Sequence, residues 1–141
     1  MTALELVLAD LAAESEQLDR WVAGLPESSW GTVTTAEGWT VAHQIGHLYW
    51  TDLTSVAAIN KTAAFEQALV DATANRSGFV DVAAAEAAQA LPAALLADWR
   101  DGRTALTAAL ASVPAGEKVP WFGPPMSPIS MATARLMETW A

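Results

Sequence analysis

The chain has only two histidines, His43 and His47, one helical turn apart in the segment Gly38-Trp39-Thr40-Val41-Ala42-His43-Gln44-Ile45-Gly46-His47-Leu48-Tyr49-Trp50. Far along the chain, Ala134-Arg135-Leu136-Met137-Glu138-Thr139-Trp140-Ala141 sets a carboxylate inside an apolar helical stretch. Neutral imidazole and carboxylate together suit zinc, nickel or iron, so His47 and Glu138 are candidate metal ligands. A plainer reading stands beside each. His47 is also what a hydrogen-bonded core histidine looks like, and Glu138 stands at i, i+3 from Arg135, the spacing of an ordinary helical ion pair.

His43 shares a helical face with His47, and two histidines at i, i+4 can grip one metal. Gln44, however, occupies the position where an HExxH motif has its glutamate. His43 is therefore expected to neighbour the site. Seven tryptophans are many for 141 residues. The connection Trp121-Phe122-Gly123-Pro124-Pro125 places two of the large aromatics in a stiff loop just ahead of the Glu138 segment. With Trp50 it is expected to wall a pocket or, equally, to cap the end of the fold. There is no Gly-x-Ser-x-Gly elbow, phosphate loop or GxGxxG. With no cysteine in the chain, Cys-based zinc sites and a cysteine nucleophile are excluded. Any thiol chemistry needs a thiol brought in from outside.

Sixteen acidic against seven basic residues give a net charge of −9. The few basic residues are scattered, which disfavours nucleic acid and anionic membrane surfaces as partners. The N-terminus lacks a basic signal-peptide region, and the alanine-rich tract from Val82 to Leu96 is broken by Glu86, Gln89 and Pro92. A soluble cytoplasmic protein is the expectation.

The elements that must position these residues read as helices. Thr2 and Glu5 form a capping box ahead of a helix running to about Ala23, where Gly24 and Pro26 end it. Its expected apolar stripe is Leu4, Leu8, Leu11, Leu18, Trp21 and Leu25. Thr40 caps a second helix reaching about Ile59. Further helical stretches cover Ala63 to Ala74 and Asp81 to Ala90. A long helix opens at Pro92, and Ser127-Pro128 start the last one. In that last helix Ile129, Ala132, Leu136 and Trp140 form one stripe, and Met131, Ala134, Arg135 and Glu138 another. Thr32 to Thr35 is the only β-like run. The expected fold is all-α: a four-helix bundle with shorter helices in the connections. The last helix has neither a glycine stop nor a polar tail after Trp140-Ala141. The 141 residues are therefore expected to form a single helical domain truncated at its C-terminus, with a further C-terminal domain missing.

With both segments in view, Gly38-Trp39-Thr40-Val41 with His47-Leu48, and Ala134 through Ala141, the chain resembles the DinB-like superfamily. Within it, the chain resembles the metal-binding N-terminal domain of mycothiol-dependent maleylpyruvate isomerases. The resemblance implies a divalent metal held between helices by a histidine of the second helix and a glutamate and histidine four residues apart on the last. His47 and Glu138 match the first two, and the third would follow Ala141 directly. The resemblance also implies mycothiol as thiol cofactor, a metal-bound thiolate attacking a small electrophilic substrate, and isomerase or thiol-transferase chemistry. Zinc is the first expectation for the metal, with nickel and iron also compatible. Trp50, Trp121, Phe122, His43 and Arg135 are the residues expected around thiol and substrate. Superfamily relatives often pair, so a homodimer fits the resemblance. Two alternatives stay open: a non-catalytic metal- or ligand-binding module, and a helical dimerisation domain.

Overall fold

A computed structural model describes all 141 residues, Met1 to Ala141. Six α-helices and one 3-10 turn follow in order: α1 (Ala3–Ala23), the 3-10 turn (Glu27–Gly31), α2 (Val41–Ile59), α3 (Ala63–Ala74), α4 (Phe79–Ala87), α5 (Pro92–Ser112) and α6 (Pro128–Trp140). The four long helices form the bundle. α1 lies chiefly against α6 and α2 against α5, while α3 and α4 cover α2 from outside. The all-α fold is as expected.

The helix starts follow their local chemistry. Thr2 accepts from the Glu5 backbone N–H, and Glu5 accepts from the Thr2 N–H, a complete capping box. Ser127 caps α6 by accepting from the Ser130 N–H at 3.2 Å, with Pro128 following it. α4 differs from expectation. It starts two residues earlier, at Phe79, and stops at Ala87 rather than Ala90. Gln89 and Ala90 close tighter turns onto Glu86 and Ala87, because Pro92 keeps Leu91 extended (ψ 139°) and forbids a continuous helix.

The β-like run at Thr32 becomes a short paired turn. Val33 bridges Thr40, Thr34 N–H donates to the Trp39 carbonyl at 2.8 Å, and Gly38 turns the chain at φ +79°. This turn delivers Trp39 and the Thr40 cap to the start of α2. A second isolated bridge, Val119 to Met126, closes the loop holding Trp121 and Phe122.

The buried apolar residues form two clusters. Leu8, Ala57, Ala58, Phe65, Leu106, Leu110, Val119, Met131 and Ala132 make one. Val22, Trp30, Ile45, Leu48, Leu95, Leu96 and Trp99 make the other. Several core positions of the helices are polar instead: Ser15, Asp19, Thr51, Asp52, Ser55 and Arg135 are all buried. In α1 the buried line is Leu8, Leu11, Ser15, Asp19 and Val22. Trp21 (65% exposed) and Leu25, expected in its apolar stripe, face outward instead. In α6 the buried residues are Met131, Ala132 and Arg135, while Trp140 is 75% exposed. Gly46 allows α4 to approach α2 closely: a Cβ there would lie 2.8 Å from the Ala87 Cβ.

Candidate functional site

His47 stands on α2 and Glu138 on α6, and the bundle brings them into contact. His47 Nε2 lies 2.8 Å from Glu138 Oε2. Arg135, one turn before Glu138 on α6, donates from Nη1 to Oε2 at 3.1 Å and from Nη2 to Oε1 at 2.9 Å. The guanidinium is almost fully buried and grips both carboxylate oxygens, so Glu138 has a fixed orientation. Burial raises the Glu138 pKa, but the His47 hydrogen bond and the Arg135 charge outweigh it, and the carboxyl falls from 4.5 to about 2. Glu138 is thus an anion throughout the neutral range. His47 Nδ1 is buried without a partner. The Trp39 ring lies against the imidazole, centroids 5.1 Å apart, and Trp39 is itself pinned by Nε1 donating to Asp81 at 2.9 Å.

His43 does a different job. Its Nδ1 accepts from the Thr40 backbone N–H at 3.2 Å, while Thr40 Oγ1 accepts from the His43 N–H. Histidine here fills the glutamate place of a capping box. It neighbours the pair, stacked beside Trp39 at 6.5 Å.

His47 and Glu138 open into a cavity of about 580 Å³ between α1, the Thr34 turn, α2 and the end of α6. That volume falls in the range of small-molecule sites. Trp21, Gln17, Gln44, Thr34 and Trp140 are among its walls. Trp50, Trp121 and Phe122 are not. They stack with Phe65 and Phe79, with Trp121 4.9 Å and Phe79 5.1 Å from the Phe122 ring, under the loop closed by the Val119–Met126 bridge. Of the two expectations for these aromatics, walling a pocket or capping the end of the fold, their mutual packing matches the second, and they lie outside this cavity. Arg135 is absent from the cavity walls too, since its guanidinium is engaged by Glu138. The residues that sequence reasoning missed are Trp39, which precedes the Thr40 cap, and Gln17 and Gln44. Trp39 alone carried a signal, as a large aromatic one turn from His43.

No group of three or more His, Asp or Glu side chains lies close enough to hold a metal ion. The convergence of one imidazole nitrogen and one fixed carboxylate oxygen fits an edge of a metal site, and no third histidine, aspartate or glutamate joins them.

A second ionic cluster ties α1 to α5. Asp19 on α1 accepts from Arg100 Nε and Nη2 and from Arg103 Nη2 of α5, at 2.6 to 2.8 Å. The Arg100 hydrogen bond, helped by Arg103 and opposed by burial, lowers the Asp19 pKa from 3.8 to about 2. Asp52 on α2 behaves oppositely, as burial pushes its carboxyl up to about 7. The signs give a pH dependence. Asp19 and Glu138, with depressed values, contribute stability that is full above about pH 4.5 and is lost as pH falls toward 2. Asp52, with a raised value, binds its proton more tightly when folded, so stability falls as pH rises from about 4 to 7. Thermal melts from pH 2 to 8 are expected to peak near pH 4 to 5, with a steep acid arm and a shallow neutral arm that Asp52→Asn flattens. A melting temperature that keeps rising to pH 8 would contradict this assignment.

Comparison with known proteins bears on what the site is. A family model described as the mycothiol maleylpyruvate isomerase N-terminal domain matches residues 11–141. Two uncharacterized proteins from two strains of Mycobacterium tuberculosis, MT0041 and Rv0036c, are 56% identical to this chain over 134 residues. The match covers 95% of this chain and 52% of each of theirs. The chain thus spans about half the length of the curated relatives it matches. The crystal structure of the mycothiol-dependent maleylpyruvate isomerase has the same fold with a TM-score of 0.75. The likeness covers 97% of this chain and 57% of that one at 16% identity, and the crystal structure of a histidine-to-alanine mutant matches equally. At that identity the likeness speaks for the fold alone.

Proposed function

Because the chain belongs to the mycothiol maleylpyruvate isomerase N-terminal domain family, we propose that it is the metal- and thiol-binding part of a mycothiol-dependent enzyme acting on a small electrophile. The observation that carries this reading is the convergence of His47 Nε2 and Glu138 Oε2, 2.8 Å apart, at the edge of the 580 Å³ cavity. His47 and Glu138 would hold a divalent metal, zinc first by donor chemistry, with further ligands from outside these 141 residues. When bound, such a metal lowers the pKa of a coordinated thiol and presents it as thiolate.

The chain's own residues do the rest. Arg135 keeps both Glu138 oxygens aimed, and Trp39 holds the imidazole plane. Gln17, Gln44 and Thr34 offer neutral donors and acceptors along the cavity, and Trp21 and Trp140 offer apolar faces. Whether the reaction is an isomerisation or a thiol transfer depends on the electrophile, and the family resemblance favours isomerisation.

A second reading has its own observation. His47, Glu138 and Arg135 already form a hydrogen-bonded trio, as in a structural polar core, and the domain would then be a non-catalytic module.

Cobalt(II) titration with and without mycothiol separates the two readings. The enzyme reading expects weak cobalt binding that mycothiol strengthens, with a sulfur-to-cobalt absorption band in the near ultraviolet. No binding of cobalt or zinc under either condition would favour the structural trio. No single helix of the chain is long and apolar enough to cross a membrane, so the assay can be run in aqueous buffer.

A further inference from the structure

The two nitrogens of His47 are treated differently. Nε2 meets Glu138 at 2.8 Å, whereas Nδ1 is buried and has no hydrogen-bond partner. A histidine that serves a metal ordinarily hydrogen-bonds through its second nitrogen to a carboxylate, a carbonyl or water, and that bond fixes the ring. Here an aromatic ring meets the imidazole instead. Trp39 lies with its centroid 5.1 Å away and 54° between the planes, within the range of favourable aromatic pairs.

Trp39 is itself held at both ends. Its carbonyl accepts from the Thr34 N–H at 2.8 Å and from Thr34 Oγ1 at 2.9 Å. Its indole Nε1 donates to Asp81 Oδ1 at 2.9 Å, a bond that spans 42 positions of sequence. Asp81 takes part in none of the ion pairs of the structure. Its place is set by the docking of α4 on α2. At Gly46, next to His47, an added Cβ would lie 2.8 Å from the Ala87 Cβ and 3.3 Å from the Ala84 carbonyl oxygen. The missing side chain at Gly46 therefore lets α4 seat closely on α2 beside the histidine, and the first turn of α4 carries Asp81 to the indole.

We propose that Asp81 is a positioning residue of the His47–Glu138 site: by accepting from the Trp39 indole, it sets the aromatic ring that orients the imidazole. Asp81 makes no hydrogen bond to His47 or Glu138, so it acts through Trp39. That the oriented ring serves a metal rests on the function proposed above, whereas its orientation by Asp81 does not. A simpler role for Asp81 is helix-start electrostatics, since an acidic residue in the first turn favours the helix. Asp81→Asn separates the two, because it gives up the charge and keeps an oxygen for the indole. Asp81→Ala gives up both.

The nuclear Overhauser effect between the Trp39 indole and the His47 ring protons reads the orientation in the metal-free protein. It is expected to be lost in Asp81→Ala and kept in Asp81→Asn. Cobalt(II) affinity in the presence of mycothiol is expected to fall about tenfold or more in Asp81→Ala, as for loss of an outer partner of a ligand, and to be restored in Asp81→Asn. Trp39→Phe removes the N–H and keeps a ring. It should weaken cobalt binding to the same degree, and adding Asp81→Ala to it should cost nothing further. An unchanged Overhauser effect in Asp81→Ala, equal loss in Asp81→Ala and Asp81→Asn, or additive losses in the double variant would each overturn the proposal. Should Asp81→Ala fail to fold, Trp39→Phe alone decides by the contact between the ring at position 39 and His47: its loss supports the proposal and its persistence overturns it. If the unmodified protein binds no cobalt, the metal reading fails, and the Overhauser comparison still decides the role of Asp81.

Discussion

Replacing His47 with alanine is expected to lower the cobalt(II) affinity of the protein, measured in the presence of mycothiol, by about 100-fold or more, while leaving the helical fold in place. The magnitude follows from what the substitution removes. Loss of an outer partner of a metal ligand typically costs 10- to 100-fold in affinity, and His47 would be a ligand itself. The fold survives because Glu138 keeps Arg135 as a partner on both oxygens. The imidazole side chain is also 17% exposed and belongs to neither apolar cluster. The Glu138 pKa, held near 2 partly by the His47 hydrogen bond, should rise in the variant. Titration followed by absorbance or calorimetry reads the first effect, and carboxyl NMR the second. Cobalt binding identical to that of the unmodified chain would remove His47 from the metal reading, whatever happened to activity. His43→Ala is the informative contrast. It removes a capping partner of α2 and should cost about 1 kcal/mol of stability with little direct effect on metal.

Trp99→Ala is expected to have the largest effect on stability, a loss of about 3–5 kcal/mol read by urea unfolding. Trp99 is 1% exposed and sits in the cluster with Val22, Trp30, Ile45, Leu48, Leu95 and Leu96. Its ring also carries the Arg103 guanidinium 4.3 Å above its centroid. Truncation thus opens a cavity and removes the surface on which Arg103 rests while it bonds Asp19. Set against the roughly 5–15 kcal/mol that a typical domain has in total, this leaves the folded state marginal at 37 °C. A loss below about 1 kcal/mol would mean that the cluster repacks around the gap, which would contradict the tight packing inferred around Trp99.

The difference in visibility between these two residues is instructive. His47 stood out in the sequence because histidine is rare in this chain and its side chain has few uses besides hydrogen bonding and metal binding. Trp99 lies in the long helix that Pro92 opens, where a large aromatic at helical spacing from Leu95 and Leu96 reads as core, but Arg103 stacked upon it was not legible. Nothing in the local spacing distinguishes an arginine that snorkels to solvent from one folded back onto an indole. The same holds for Asp19 and Asp52. Both stand in register with apolar neighbours, Asp19 with Leu11 and Val22, and Asp52 with Leu48, and a polar residue there can be read as the edge of a stripe as readily as its interior. For Asp19 the partners on α5, brought from more than eighty residues away, decide the matter, and for Asp52 its burial does.

The sequence by itself determined the helices, their caps and most of their boundaries. These depend on residues within a turn of one another: Thr2 with Glu5, Thr40 with His43, Ser127 with Ser130, and Pro92 with Leu91. It also excluded a thiol of the chain's own, because composition alone removes cysteine, and it singled out His47 and Glu138 as candidate ligands. The tertiary structure decided which side chains share a space. It turned Trp50, Trp121 and Phe122 to one another and away from the cavity, and it placed Trp39, Gln17 and Gln44 beside His47 or along the cavity that His47 faces. It brought Asp19 of α1 to Arg100 and Arg103 of α5, and His47 of α2 to Glu138 of α6. Helix formation is governed by contacts three or four positions apart, whereas a pocket and an ion pair between helices depend on the rotation and offset of whole helices, which follow from the packing of all their faces together.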